Sequence, residues 1–477
     1  MIFTSYTYVA FLALAFVLCW SLPSRWRNGL LTLLSYAFYA SWKWPFVFLL
    51  LGVSLFTFYF ARLMARRRDP GTLLAIGISI ELLPLVYYKY LGFLLSNFSG
   101  LLDLFGANWR PGIPSVFIPL GISFFTFQGI AYLVDVASGE PAFPRLSQFL
   151  LFKAFWPQLI AGPIIRPGEI RDQILSDRTI EYPDVAEGLA RILQGFFKKV
   201  VLADTLAPIV DSVFLPGATP AFTDAATGIL GFGLQIYFDF SAYSDIAIGA
   251  ARLFGFTFPE NFDFPYAARS PQEFWNRWHM TLTRWIRDYV YTPLSFATRS
   301  RPHLALLWLM LAMAICGLWH GAQWTFVVWG IWHGTLLLLN HTWMKPLLGV
   351  RMDRPGAGRV VHFLGAAVTL GLVMLGWVFF RANDLRQAGD MLSAVLTFRG
   401  GWRPSVLREN AVLIVAVAFA GLLALQFVQR PLRRVLAALH RGDGYAFAVV
   451  RGAFYAILIV LVVILDKEAK AFVYFQF

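Results

Sequence analysis

Seven histidines are spread over 477 residues. The one whose neighbours most invite chemistry is His320, in Gly317-Leu318-Trp319-His320-Gly321-Ala322-Gln323-Trp324. This motif lies between two apolar segments that would otherwise read as one implausibly long helix. An imidazole at that depth is expensive unless it faces the protein interior or a water-filled cavity. Gly317 and Gly321 permit close backbone approach and local unwinding. Trp319 and Trp324 would keep the imidazole desolvated and neutral, the form that accepts a proton. A packed core histidine with one hydrogen-bond partner would have the same neighbours, and the local physics leaves both readings open. Trp332-His333-Gly334 repeats the tripeptide. On one continuous helix its separation from His320 would point the two rings to different sides, so His333 is expected to be a structural or supporting residue. His341 and His362 have no supporting pattern, and His303 and His440 read as solvated.

The second cluster covers residues 271–289, which read as one amphipathic helix. Trp275, Trp278, Leu282, Trp285, Ile286 and Tyr289 share a face; Asn276, Arg277, Arg284, Arg287 and Asp288 lie opposite; His279 is at the edge of the apolar side. Ser270 and Pro271 supply a helix start. Such a helix either lies in a membrane interface or lines a polar cavity inside a membrane protein. The arginines suit phosphate groups or an acidic carrier, and equally an interfacial positive-inside face. Together with Trp278, Trp319, Asn276 and Asp288, they are the candidate substrate-binding set. Metal chemistry finds no HExxH, no paired cysteines and no carboxylate at ligand spacing from His320. Serine hydrolase chemistry finds no GxSxG elbow.

The elements that must position these residues are apolar helices. The chain is 58% hydrophobic and 14% charged, against about a quarter charged in soluble domains. Candidate spans fall near 4–22, 28–42, 45–61, 72–95, 114–136, 146–162, 188–214, 223–254, 304–319, 323–343, 360–380, 410–428 and 446–465. Several approach the roughly 20 residues that cross a bilayer. The expected fold class is an all-α polytopic integral membrane protein of roughly 11–13 segments, some re-entrant. It forms a single domain over 1–477: N-terminal helices 1–110, a motif-bearing core 114–345 and C-terminal helices 360–477. No basic region precedes the first apolar run, so a first transmembrane helix is expected rather than a cleaved leader. Arg25, Arg27, Arg62, Arg66, Arg67 and Arg68 place the early loops in the cytoplasm, and Arg430, Arg433, Arg434 and Arg441 mark a later cytoplasmic loop. The net charge of +13 comes without a nucleic-acid motif, and no nucleic-acid partner is expected. Cys19 and Cys316 lie in apolar runs and read as buried thiols.

Phe274-Trp275-Asn276-Arg277-Trp278-His279-Met280-Thr281-Leu282, then Trp285 through Leu294, resemble the membrane-bound O-acyltransferase family, as do Gly317 through Gly321 and Trp329 through Gly334. Pro119 through Gln128, Pro157 through Ile164, Tyr237 through Asp245 and the closing Phe472-Val473-Tyr474-Phe475-Gln476-Phe477 extend the resemblance over nearly the whole chain, closest to the bacterial alginate O-acetylation type. The resemblance implies a ring of transmembrane helices around a central funnel. It implies that His320 is the principal catalytic histidine and His279 the second, where many eukaryotic relatives carry asparagine. It further implies acetyl transfer from cytosolic acetyl-CoA, with no permanently bound cofactor, in a multi-pass protein of the bacterial inner membrane among membrane lipids. An extracytoplasmic acetyltransferase partner would then finish O-acetylation of an exopolysaccharide such as alginate. Two alternatives remain: D-alanyl transfer from a carrier protein to teichoic acid, and a transporter without acyl chemistry. A transporter would show a hydropathy repeat between halves, and none is visible.

Overall fold

The computed structural model describes residues 3–114, 116–301, 303–344, 357–441, 444–466 and 472. The connection at 345–356 and the closing motif apart from Phe472 lie outside the described residues, as do the side chains of Arg430, Arg433, Arg434, His440 and Arg441. Among the described residues all regular structure is helical, as expected, and the chain forms two compact units: Met1–Ile192 with Ser244–Pro259, and Leu193–Tyr243 with Glu260–Phe477.

The first unit holds α1 (Tyr6–Ser21), α2 (Ser24–Lys43), α3 (Phe46–Met64), α4 (Gly71–Leu85), α5 (Leu91–Leu104), α6 (Ile122–Ala137), α7 (Leu146–Ala154), α8 (Trp156–Leu159) and α9 (Pro167–Leu175). A π-helical turn, Val86–Tyr90, joins α4 to α5. In lipid every backbone amide must be satisfied internally, which is why such apolar runs become helices. Phe46–Met64 and Gly71–Leu104 are long and apolar enough to cross a membrane. At the centre of this unit lies a fully buried ion pair, Lys153 Nζ to Glu81 Oε2 at 3.7 Å. Thr57 donates its hydroxyl to the other Glu81 oxygen. Gly129 of α6 backs directly onto the pair, with no room for a side chain.

Two helices pass from one unit to the other, α10 (Tyr182–Phe196) and α12 (Phe222–Leu253), with α11 (Asp204–Val213) between them. The second unit continues with α13 (Pro271–Trp275), α14 (Met280–Ile286), α15 (Thr292–Ala297), α16 (Leu304–His320) and α17 (Trp324–Leu339). It ends with α18 (Ala357–Arg381), α19 (Leu385–Leu396), α20 (Glu409–Arg441) and α21 (Tyr445–Leu465). Val360–Arg381 and Phe447–Leu465 are again long and apolar enough to span. On α21 the exposed residues Val449, Phe454, Ile457, Val460 and Ile464 form an apolar surface that suits lipid rather than water. At the start of α12 the Asp224 carboxylate accepts from the Ser405 hydroxyl (2.7 Å) and from the amides of Ala221, Ser405, Val406 and Leu407, pinning the segment before α20.

The site depends on α16 and α17. They run antiparallel with backbones in contact: Gly317 faces the Phe326 carbonyl, and Gly330 faces the Met313 carbonyl. A Cβ at either glycine would clash with backbone, which cannot yield as a side chain can. Gly330→Leu should therefore cost about 1–3 kcal/mol or more through overpacking, read as a lower melting midpoint in detergent. Gly371→Leu on α18, where a Cβ meets nothing within 4 Å, should melt like the parent.

Candidate active site

α16 ends at His320 because Gly321 turns extended (φ −161°, ψ 148°). His320 is buried at 6% exposure. Its ring meets Trp319 at 4.9 Å, Trp329 at 5.1 Å and Phe380 at 5.0 Å. Because the chain reverses at residues 321–323, the single-helix rotation expected to separate the two histidines does not apply. His333 touches the same Trp329 at 4.9 Å, along with Trp275 at 5.2 Å and Phe274 at 5.9 Å. Trp377 of α18 stacks on Trp329 at 5.9 Å. His333 is thus packed into the wall of the site, one tryptophan away from His320.

The continuous helix expected over 271–289 is broken. α13 ends at Trp275, turns close through Asn276–Trp278, and α14 starts at Met280. His279 sits at the break with φ 40° and ψ 52°, a left-handed conformation rare for a residue with a Cβ. The cause is Asn261. Its backbone carbonyl accepts from the Met280 amide (2.9 Å), and its side-chain oxygen accepts from the Thr281 amide (3.2 Å) and hydroxyl (2.9 Å). These bonds capture the start of α14 and outcompete helix continuation. A π-helical turn, Arg287–Tyr291, follows α14.

The break buries His279 completely. Its ring lies edge-on to Phe240 at 4.6 Å and 6.0 Å from Trp319, so Trp319 contacts both His279 and His320. Burial pushes the His279 imidazole pKa down, which keeps the ring neutral. Its Nδ1 lies 3.1 Å from Asn261 Oδ1, while Nε2 is buried without a protein partner.

The other expected residues divide by burial. Trp278 is buried between Tyr266, Phe274, Phe262 and Trp377, the last at 4.8 Å. Asn276 is exposed and Arg284 half-buried. Arg277 pairs with Glu273 at 2.8 Å, and Arg269 meets the same carboxylate at 3.0 Å. Arg287 and Asp288 pair with each other at 2.6 Å. The structure thus gathers His320, His279, Trp319 and Trp278 in one aromatic cluster and leaves the charged candidates half-buried or exposed. Among the described residues no three His, Cys, Asp or Glu side chains converge as metal ligands. Sequence reasoning missed Asn261, Trp377 and Phe380. Asn261 stood inside a polar, proline-interrupted run where an asparagine is unremarked, and the two aromatics looked like ordinary span residues.

The sequence profile of the membrane-bound O-acyltransferase family matches residues 133–379, a stretch that contains both histidines and Asn261. The chain belongs to this family. It is similar to the probable alginate O-acetylase of Azotobacter vinelandii, 39% identical over 88% of this chain and 82% of that one. The probable alginate O-acetylase of Pseudomonas aeruginosa is 40% identical over 86% and 78%. The peptidoglycan O-acetyltransferase of Helicobacter pylori is 34% identical over 82% and 79%. The protein is a membrane O-acyltransferase.

Burial alone would raise the Glu273 carboxyl, but hydrogen bonds from the Arg269 side chain and amide, with the charges of Arg269 and Arg277, hold it below the usual range. A depressed folded value adds stability above the unfolded pKa of about 4.3 and loses it as pH falls through the folded value. The melting midpoint of the parent should therefore fall more steeply below about pH 4.3 than that of Glu273→Gln, with the two curves running parallel above pH 6.

Proposed function

We propose that the protein takes an acetyl group from cytosolic acetyl-CoA and delivers it for O-acetylation of an extracytoplasmic polysaccharide of the alginate kind. On this reading it is a multi-pass protein of the bacterial inner membrane, and a partner outside the membrane completes the transfer to sugar. The observation that carries the proposal is the pair of buried imidazoles meeting one Trp319 ring, within a chain whose relatives are named for O-acetylation of alginate and peptidoglycan.

His320 is the general base. It takes the proton of an attacking hydroxyl as the oxygen bonds to the thioester carbonyl carbon. The carbon–sulfur bond then breaks, and the proton passes to the departing thiolate, giving coenzyme A and the acetyl ester. His279 either shares that proton or stabilises the developing oxyanion. The dry aromatic walls strengthen each electrostatic interaction inside the site. Arg277, Arg284 and Arg287 are half-buried or exposed, where phosphates of the donor would be drawn. Trp278 and Trp319 would flank the acyl group, and Asn276 and Asp288 would bond polar parts of the donor.

Coenzyme A release from acetyl-CoA by the purified protein, with its extracytoplasmic partner and polysaccharide present, tests the proposal. Wild type should release it, and His320→Ala should lower kcat by about 100-fold or more, in the range general base catalysis supplies. His279→Ala should lose less. Undiminished release by a folded His320→Ala would remove the catalytic assignment. Absence of release from wild type, with release from an acylated carrier protein, would replace the donor.

A further inference from the structure

The hydrogen bonds around Asn261 decide between the two roles just named for His279. Asn261 Oδ1 receives the Thr281 backbone N–H at 3.2 Å. A main-chain amide only donates, so the accepting atom is the carbonyl oxygen of the carboxamide rather than its nitrogen. That oxygen also lies 3.1 Å from His279 Nδ1. Since an amide oxygen only accepts, the proton of the neutral imidazole is on Nδ1, and Nε2 carries the lone pair. Nε2 is fully buried and meets no protein donor. In this tautomer it cannot donate to an oxyanion, but it can receive a proton.

The side chains shown against the ring carry no charge: Phe240 from α12, Phe262 and Asn261 from the loop before α13, and Trp319 from α16. The titratable groups that adjoin them in the chain are Asp239, paired with Lys199 at 2.8 Å, then Glu260, Asp263 and His320. None of these contacting side chains carries a charge that would compete with Asn261 in choosing the tautomer.

We propose that Asn261 is a positioning residue that fixes His279 as a proton acceptor at Nε2, with Thr281 holding the amide oxygen in place. His279 then shares the proton His320 takes from the attacking hydroxyl and returns it as the thiolate leaves. The arrangement has the logic by which a carbonyl or carboxylate behind a histidine sets which nitrogen reacts. The neutral amide favours the imidazolium far less than a carboxylate would, so the proton is held loosely enough to be passed on.

The chemistry rests on the acyl-transfer reading above, and the test therefore has a limb that does not. Asn261→Asp is isosteric and keeps an acceptor for all three donors, but it adds a charge that favours the imidazolium. Neutral His279 is required for turnover, so the acidic limb of the kcat/KM profile should move to higher pH by about 1–3 units, with KM at the optimum little changed. Asn261→Ala should lower kcat by about 10- to 100-fold. Nitrogen-15 NMR of histidine-labelled protein, with His279 identified by its loss in His279→Asn, should show the Nδ1–H tautomer in wild type. It should show a mixed or Nε2–H form in Asn261→Ala, and imidazolium persisting to higher pH in Asn261→Asp. If wild type turns over no acyl donor, the reading above fails while the NMR still decides the role of Asn261. A pH profile of Asn261→Asp that superimposes on wild type, or a His279 tautomer unchanged in both variants, would overturn the proposal.

Discussion

Where Gly317 lies against the Phe326 carbonyl and Gly330 against the Met313 carbonyl, two apolar helices run closer than any side chain would allow. In lipid there is no hydrophobic drive between such helices, so association comes from close van der Waals packing at small residues. The consequence is local and specific. Trp329, next to Gly330, is fully buried and has His320 on one side and His333 on the other. α18 then closes over them with Trp377 and Phe380. Larger residues at the two glycines would separate α16 from α17, and the wall that keeps His320 dry would open with them.

Several buried charged groups hold helices together. Lys199 meets Asp239 at 2.8 Å and Asp204 at 2.9 Å. Asp224 is surrounded by donors, and Glu81 is matched by Lys153 and Thr57. Removing one partner from such a pair leaves an uncompensated buried charge, at about 3–5 kcal/mol. The Nε2 of His279 is one of several buried side-chain atoms that meet no hydrogen-bond partner. A buried polar atom without a partner is destabilising by about 1–3 kcal/mol, and here it coincides with a left-handed backbone at the same residue. Two local rules are thus broken together at one position.

Much of this was legible in the sequence, for reasons that also explain what was not. The division between α16 and α17 could be read because Gly317, Gly321 and Gln323 interrupt an apolar run. The burial of Trp275, Trp278, Leu282, Trp285 and Ile286 followed from spacing alone. Continuity did not, because the break at His279 is imposed by Asn261, a partner 18 residues away, and local periodicity carries no record of such a bond. The helix rotation used to separate His333 from His320 does not apply for a related reason. It assumed one helix axis, whereas the reversal brings both rings to Trp329. The arginines stay half-buried or exposed, but the pairing of Arg277 with Glu273 and of Arg287 with Asp288 emerged only with the fold.

The break resolves a conflict in the segment itself. On a continuous helix His279 would ride at the edge of the apolar face, half wet, beside arginines that must stay near water. Turning the chain through a left-handed residue separates these demands. Arg277 remains half-buried in its ladder with Glu273, Asn276 stays exposed, and the next side chain but one after Arg277 is swung fully into the aromatic cluster. The strain is met by three hydrogen bonds to the Asn261 side chain and a fourth to its carbonyl. A single asparagine therefore bends the backbone, buries the imidazole and chooses which of its nitrogens faces the site. The geometry of the turn and the tautomer of the histidine thus depend on the same side chain.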